Sequence, residues 1–178
     1  MTHVTLLRGI NVGGKNTLPM KDLTQLFAEA GASKVRTYIQ SGNVIFEASK
    51  GAQTIAEKVA EGIEKRFGFR SPLIVRSAEE WRKTIRANPF AAKVTDQRWL
   101  HVYFLANAPR AGAIAGLDAA RSAPDVFHVL GREIYLHLPN GMGRTKLTNA
   151  YFDSKLATIC TARNWATVLK LAEMMQGQ

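Results

Sequence analysis

Val35-Arg36-Thr37-Tyr38-Ile39-Gln40-Ser41-Gly42-Asn43-Val44-Ile45-Phe46 reads as two β-strands joined at a tight Ser41-Gly42 turn. A connection that short makes the strands antiparallel, because parallel neighbours need a crossover of roughly a dozen residues or more. With a two-residue turn, Gln40 pairs with Asn43, Tyr38 with Ile45 and Arg36 with Glu47. Val35, Thr37, Ile39, Val44 and Phe46 then share the opposite face, which is expected to be the core face.

Working outward, His3 to Arg8 reads as a buried strand, followed by a helix from Pro19 to Ala30 with Met20, Leu23, Leu26, Phe27 and Ala30 along one stripe. After the hairpin, Ile55, Val59, Ile63 and Phe67 are spaced four apart on a second helix that stops at Gly68. Pro72 opens a short strand, Leu73 to Arg76. The order is βαββαβ, the ferredoxin-like unit. Ser77-Ala78-Glu79-Glu80 is a capping box that starts a helix carrying Trp81 and Ile85 and ending before Pro89.

The scheme recurs more loosely downstream. Trp99 to Leu105 is a strand, Pro109 starts a helix through Ile114 and Leu117, and Asp125–Leu130 with Glu133–Leu138 form a hairpin around Gly131-Arg132. A two-residue turn sets Phe127 beside Leu136 and Val129 beside Ile134 on the core face. His128 beside Tyr135, and His137 beside Val126, occupy the other face, expected to be exposed. Helices follow around Ala150 to Ile159 and from Asn164 with Trp165, Val168, Leu169 and Ala172. The fold class is therefore α+β: two related ferredoxin-like βαββα halves with antiparallel sheets and C-terminal helices. Residues 1–76 make the first half, completed by its fourth strand, 77–98 a linking helix and loop, and 99–178 the second half.

Among 178 residues, 46% are hydrophobic, enough to bury a core, and the longest apolar runs fall far short of a bilayer span. No basic and apolar leader precedes the first strand, and the single cysteine, Cys160, excludes an internal disulfide and a thiolate-rich metal site. A cytoplasmic protein without a membrane partner is expected. The net charge of +10 is dispersed along the chain instead of gathered into one arm, which fits either a broad anionic partner or a merely basic surface.

Arg8-Gly9-Ile10-Asn11-Val12-Gly13-Gly14-Lys15 is the stretch with the most chemistry. Three glycines let the backbone bend and bare its N–H groups, and Lys15 adds a cation. Gly9, four residues, Gly14 and Lys15 match most of the triphosphate-binding G-x-x-x-x-G-K-[ST] pattern, but Asn16 replaces the magnesium-holding hydroxyl and Pro19 delays the helix. A second loop, residues 139–146, repeats the chemistry with Gly141, Gly143, Arg144 and Lys146, at what reads as a corresponding turn of the second half. Arg163, directly before a helix start, opposes the positive end of the dipole unless an anion sits there. Asn164 and Trp165 read as helix cap and core anchor.

Leu6-Leu7 with Arg8 to Gly14, Met20, Arg36-Thr37-Tyr38 with Ser41-Gly42-Asn43, and Thr161-Ala162-Arg163-Asn164-Trp165 resemble the motifs of a widespread bacterial family of unknown function. The resemblance runs over nearly the whole chain. It implies a small soluble protein of ferredoxin-like character with no established activity, and it transfers no catalytic residue.

The candidate ligand-binding residues are Arg8, Asn11, Gly13, Gly14, Lys15, Ser41, Asn43, Arg144, Lys146, Arg163 and Asn164. They suit a phosphorylated small molecule, a nucleotide or a nucleic acid. No cofactor and no metal is expected, because His3, His101, His128 and His137 lack ligand spacing. RNA binding on the sheet face lacks its aromatic platform, since the first strand has no aromatic residue and Phe46 faces the core. The alternatives are an enzyme acting on a small phosphorylated or carboxylated metabolite, with Tyr38 or His137 moving a proton, and an interaction protein with no small ligand.

Overall fold

Leu7, Phe27, Val44, Phe46, Val59 and Ile63 form the centre of the first core, and the elements that supply them follow the period of their apolar residues. A computed structural model describes residues 1–176. It divides into two units, Met1–Arg82 with the chain from Leu171 onward, and Lys83–Lys170.

The first unit contains β1 (Thr2–Leu7), α1 (Met20–Glu29), β2 (Ser33–Tyr38), β3 (Asn43–Glu47), α2 (Ala52–Phe67) and β4 (Leu73–Ser77). Its antiparallel sheet runs β2-β3-β1-β4, the ferredoxin-like order. Leu23, Leu26 and Phe27 of α1 and Ile55, Val59 and Ile63 of α2 are buried in the core. The opposite face of the sheet is buried as well, through Val4, Leu6, Ile45 and Ile74, and includes the guanidinium of Arg76.

α3 (Ala78–Arg86) begins at the expected capping box: Ser77 N–H donates to Glu80 Oε2 at 2.7 Å and Glu80 N–H to Ser77 Oγ at 3.1 Å. The second unit holds β5 (Leu100–Leu105), α4 (Ala111–Ala115), β6 (Val126–Leu130), β7 (Glu133–His137), α5 (Asn149–Leu156) and β8 (Cys160–Asn164). α6 (Trp165–Gln176) starts there and ends in the first unit. Its antiparallel sheet runs β6-β7-β5-β8, the same order as the first. Tyr103, Phe127, Tyr151 and Phe152 pack as an aromatic group, with Phe152 ring centroids 5.2–5.7 Å from the others.

Four local readings are corrected. The first hairpin is antiparallel, but Tyr38 pairs with Asn43, Thr37 with Val44 and Arg36 with Ile45, a register shifted by two residues, and an irregularity before Arg36 then sets Ser33 opposite Glu47. A shift of two preserves the faces. Its cause is a four-residue connection, Ile39 to Gly42, in which Ile39 and Gly42 both have positive φ; Ile39 is consequently 52% exposed and not in the core. The second hairpin has the expected register, yet its outer face is open only along β6: Val126, His128 and Leu130 are exposed, whereas Tyr135 is buried and its hydroxyl donates to Thr84 O at 2.9 Å. Burial pushes that phenol well above its ordinary pKa. Thirdly, β8 lies between the two C-terminal helices, where no strand was expected, so the second half also has four strands. Lastly, the two glycine-rich loops are not equivalent: one follows the first strand of its half and the other the third, β7.

Candidate functional site

Three connections meet at the Leu7 end of the first sheet: residues 8–19 after β1, 39–42 between β2 and β3, and 68–72 before β4. Two main-chain bonds and one serine hydroxyl tie them together. Leu7 N–H donates to Gly42 O at 2.8 Å, Arg8 N–H to Pro72 O at 3.1 Å, and Ser71 Oγ to Arg8 O at 2.9 Å. Arg8 is half-buried in this junction.

The long loop is held by two asparagines. Asn11 Oδ1 accepts from Leu18 N–H at 2.8 Å, while its amide nitrogen donates to Leu18 O at 3.0 Å and Gln40 O at 2.9 Å. Asn16 Nδ2 donates to Gly9 O at 2.8 Å. Both asparagines adopt left-handed backbone, φ 52°, a region their short polar side chains tolerate better than most. Between them Asn11 N–H reaches Asn16 O and Lys15 N–H reaches Val12 O, closing a miniature hairpin whose tip, Gly13-Gly14, has φ of 58° and 74°. Positive φ at both central residues defines a type I′ turn, which explains the glycine pair. This is not a triphosphate cradle: the loop closes on itself and α1 begins only at Met20.

Val12, 66% exposed, stands beside Gly13, Gly14 and Lys15, all exposed, with the N–H groups of both glycines bound to nothing among the described residues. Ile39, the neighbouring exposed residue, is β-branched and left-handed at φ 50°, a conformation that costs about 1–2 kcal/mol. Asn43 is buried and donates to Tyr38 O and Ser41 Oγ, both at 3.0 Å, fixing the inner side of the same turn. The first-unit candidates Arg8, Asn11, Gly13, Gly14, Lys15, Ser41 and Asn43 therefore do gather at one sheet end. Asn11 and Asn43 are there as braces, with their amides already engaged. Alternation placed Ile39 in the core, and nothing in a single sequence marks a left-handed isoleucine; Ser71 likewise carries no motif.

The remaining candidates lie in the second unit. Arg144 and Lys146 are exposed on the loop after β7. That loop is pinned by Lys146 N–H to Ser122 Oγ at 2.9 Å, Arg121 Nε to Lys146 O at 3.0 Å, and Tyr103 hydroxyl to Leu147 O at 3.0 Å. Asn164 caps α6, accepting from Thr167 N–H at 2.8 Å. Arg163 is not on a loop but inside β8, opposite Val102 and 8% exposed. Its Nη1 donates to Thr161 Oγ1 at 3.1 Å and Ala162 O at 2.8 Å, and burial pushes its pKa down to about 10. Arg76 has the same place in β4, buried, with Nη1 on Val75 O at 2.9 Å and a helix following one residue later. An arginine repeated at equivalent positions of both sheets is a feature of the duplicated scaffold. Arg163→Ala is accordingly expected to lower stability by about 2 kcal/mol through lost packing and hydrogen bonds, measured by urea denaturation. A loss below about 0.5 kcal/mol, the level of a surface change, would show that the side chain carries no structural role.

Of the proton-transfer candidates, Tyr38 and His137 are half-buried strand residues, one in each unit. Burial holds His3 and His101 below the ordinary histidine pKa. Among the described residues no group of three or more His, Cys, Asp or Glu side chains could hold a metal ion, and no helix is long and apolar enough to cross a membrane.

A family model described as "Protein of unknown function (DUF1697)" matches residues 1–135. The search of curated proteins returns no match. Among solved structures, the conserved bacterial protein SP0830 from Streptococcus pneumoniae is similar over 97% of both chains, with a TM-score of 0.76 and 23% identity. At that identity the likeness establishes the fold.

Proposed function

The chain belongs to the DUF1697 family of proteins of unknown function, and on that footing we propose that it is a binding protein for a phosphate-bearing ligand, a nucleotide or nucleic acid. The recognition surface is the loop cluster at the Leu7 end of the first sheet. One observation carries the reading: the Gly13 and Gly14 N–H groups are presented to solvent on a braced turn next to the Lys15 ammonium. Bare main-chain donors with a cation beside them are what an anion site is made of. Left-handed conformations at Asn11, Asn16 and Ile39 support it, because such backbone is kept where the surrounding structure holds a surface in shape. The net charge of +10 adds long-range attraction for polyanions.

A thermal-shift screen of inorganic phosphate, nucleotides and short RNA and DNA tests this. A ligand that binds only the folded state, supplied at about 100 times its Kd, stabilises by about 2.7 kcal/mol. Lys15→Ala is expected to weaken the ligand found by about fivefold, as loss of one charge-assisted contact in open solvent, with the melting temperature of the free protein unchanged. Nucleic-acid affinity should fall log-linearly with salt. Equal binding of heparin, or affinity indifferent to Lys15→Ala, would sink the proposal in favour of a merely basic surface.

A further inference from the structure

β6 is an edge strand that the chain leaves unblunted. Natural sheets protect their edges with charge, proline or a bulge, and β2 does so through Lys34, Arg36 and a register break between Ser33 and Arg36. β6, Val126-Phe127-His128-Val129-Leu130, has no Asp, Glu, Lys, Arg or Pro and pairs in regular register with β7 alone. The hairpin closes at Leu130 opposite Glu133 across the two-residue turn Gly131-Arg132. In that geometry Val126, His128 and Leu130 exchange main-chain bonds with β7, and the N–H and C=O groups of Phe127 and Val129 point away from the sheet. No hydrogen bond reaches those four groups among the described residues. Beside them Val126 and Leu130 are 43% and 48% exposed.

We propose that β6 pairs with β6 of a second copy of this chain about a two-fold axis, joining two four-stranded sheets edge to edge. The strand is chemically symmetric about His128, with an aliphatic residue at each end. Antiparallel pairing centred there sets Phe127 opposite the partner subunit's Val129 as a hydrogen-bonded pair, so all four outward groups are satisfied in each copy. Val126 then covers the partner subunit's Leu130. A two-fold axis at His128, perpendicular to the sheet, generates antiparallel pairing, and Asp125, buried and accepting from Ser122 Oγ, takes no part in the contact. Repulsion between two chains of charge +10 is small at such an edge, because it carries no charge and screening at physiological salt acts over about 8 Å.

Sedimentation equilibrium over a wide concentration range is expected to show a reversible dimer. Val126→Lys with Leu130→Lys, both at exposed positions, should raise the dimer Kd at least tenfold with an unchanged far-ultraviolet spectrum. His128→Cys reports the register: its Cα and its two-fold mate would be about 4.5 Å apart, within disulfide reach, so oxidation should give a covalent dimer. The wild type should give none, since Cys160 is buried. A chain that stays monomeric at every concentration overturns the proposal. So does a dimer that tolerates both lysines and whose His128→Cys form does not cross-link.

Discussion

Replacing Gly42 with alanine is expected to lower the stability of the first unit by about 4 kcal/mol, a large share of what a domain this size has. Two independent costs add. The residue sits at φ 80°, where an L side chain is strained by about 1–3 kcal/mol. A Cβ there would also lie 2.6 Å from Leu7 Cβ and 2.9 Å from Ile10 Cδ1, both fully buried, and forcing atoms into a packed core costs about 1–3 kcal/mol. Leu7 cannot retreat, because its N–H is bound to Gly42 O in the same junction. In urea the midpoint should fall with an unchanged slope. A loss under about 1 kcal/mol would mean that the loops of this sheet end are not packed as one body.

The same junction shows what one sequence can and cannot disclose. The helices were legible because their cores repeat at the helical period: Leu23, Leu26 and Phe27, then Ile55, Val59 and Ile63, are the residues that end up buried. The second hairpin was legible to the residue, since Gly131-Arg132 permits only one short connection. The first was not. Ser41-Gly42 carries an equally clear turn signal, but Asn43 turns inward to hold Tyr38 O and Ser41 Oγ and Ile39 joins the loop, which moves the register by two. β8 was lost for a different reason: Cys160, Thr161 and Arg163 are all buried, so the strand lacks polar alternation, and the Asn164 cap hides its end. The candidate site was legible as a cluster of residue types; the division of labour within it, braces as against presented groups, depends on hydrogen-bond direction that no spacing encodes.

Asn11→Ala is the substitution that separates those two roles, with an expected cost of about 4 kcal/mol. It removes three hydrogen bonds of 2.8–3.0 Å, each worth about 1 kcal/mol, and strands the N–H of Leu18, a fully buried residue. It also leaves an alanine at φ 52°, adding about 1 kcal/mol that Asn11→Gly would not incur. Glycine should therefore recover roughly a quarter of the loss, and the difference between the two variants isolates the backbone term. Amide exchange at Leu18 should be slow in the wild type, where its N–H is buried and bound to Asn11 Oδ1, and fast in both variants. Arg8 and Lys15 are untouched, so the charge of the surface is unchanged. If recognition depends on the shape of the braced turn, Asn11→Gly weakens the ligand as much as Lys15→Ala does. If affinity survives Asn11→Gly and falls only with Lys15→Ala, the surface attracts anions by charge alone and the Gly13-Gly14 donors take no part.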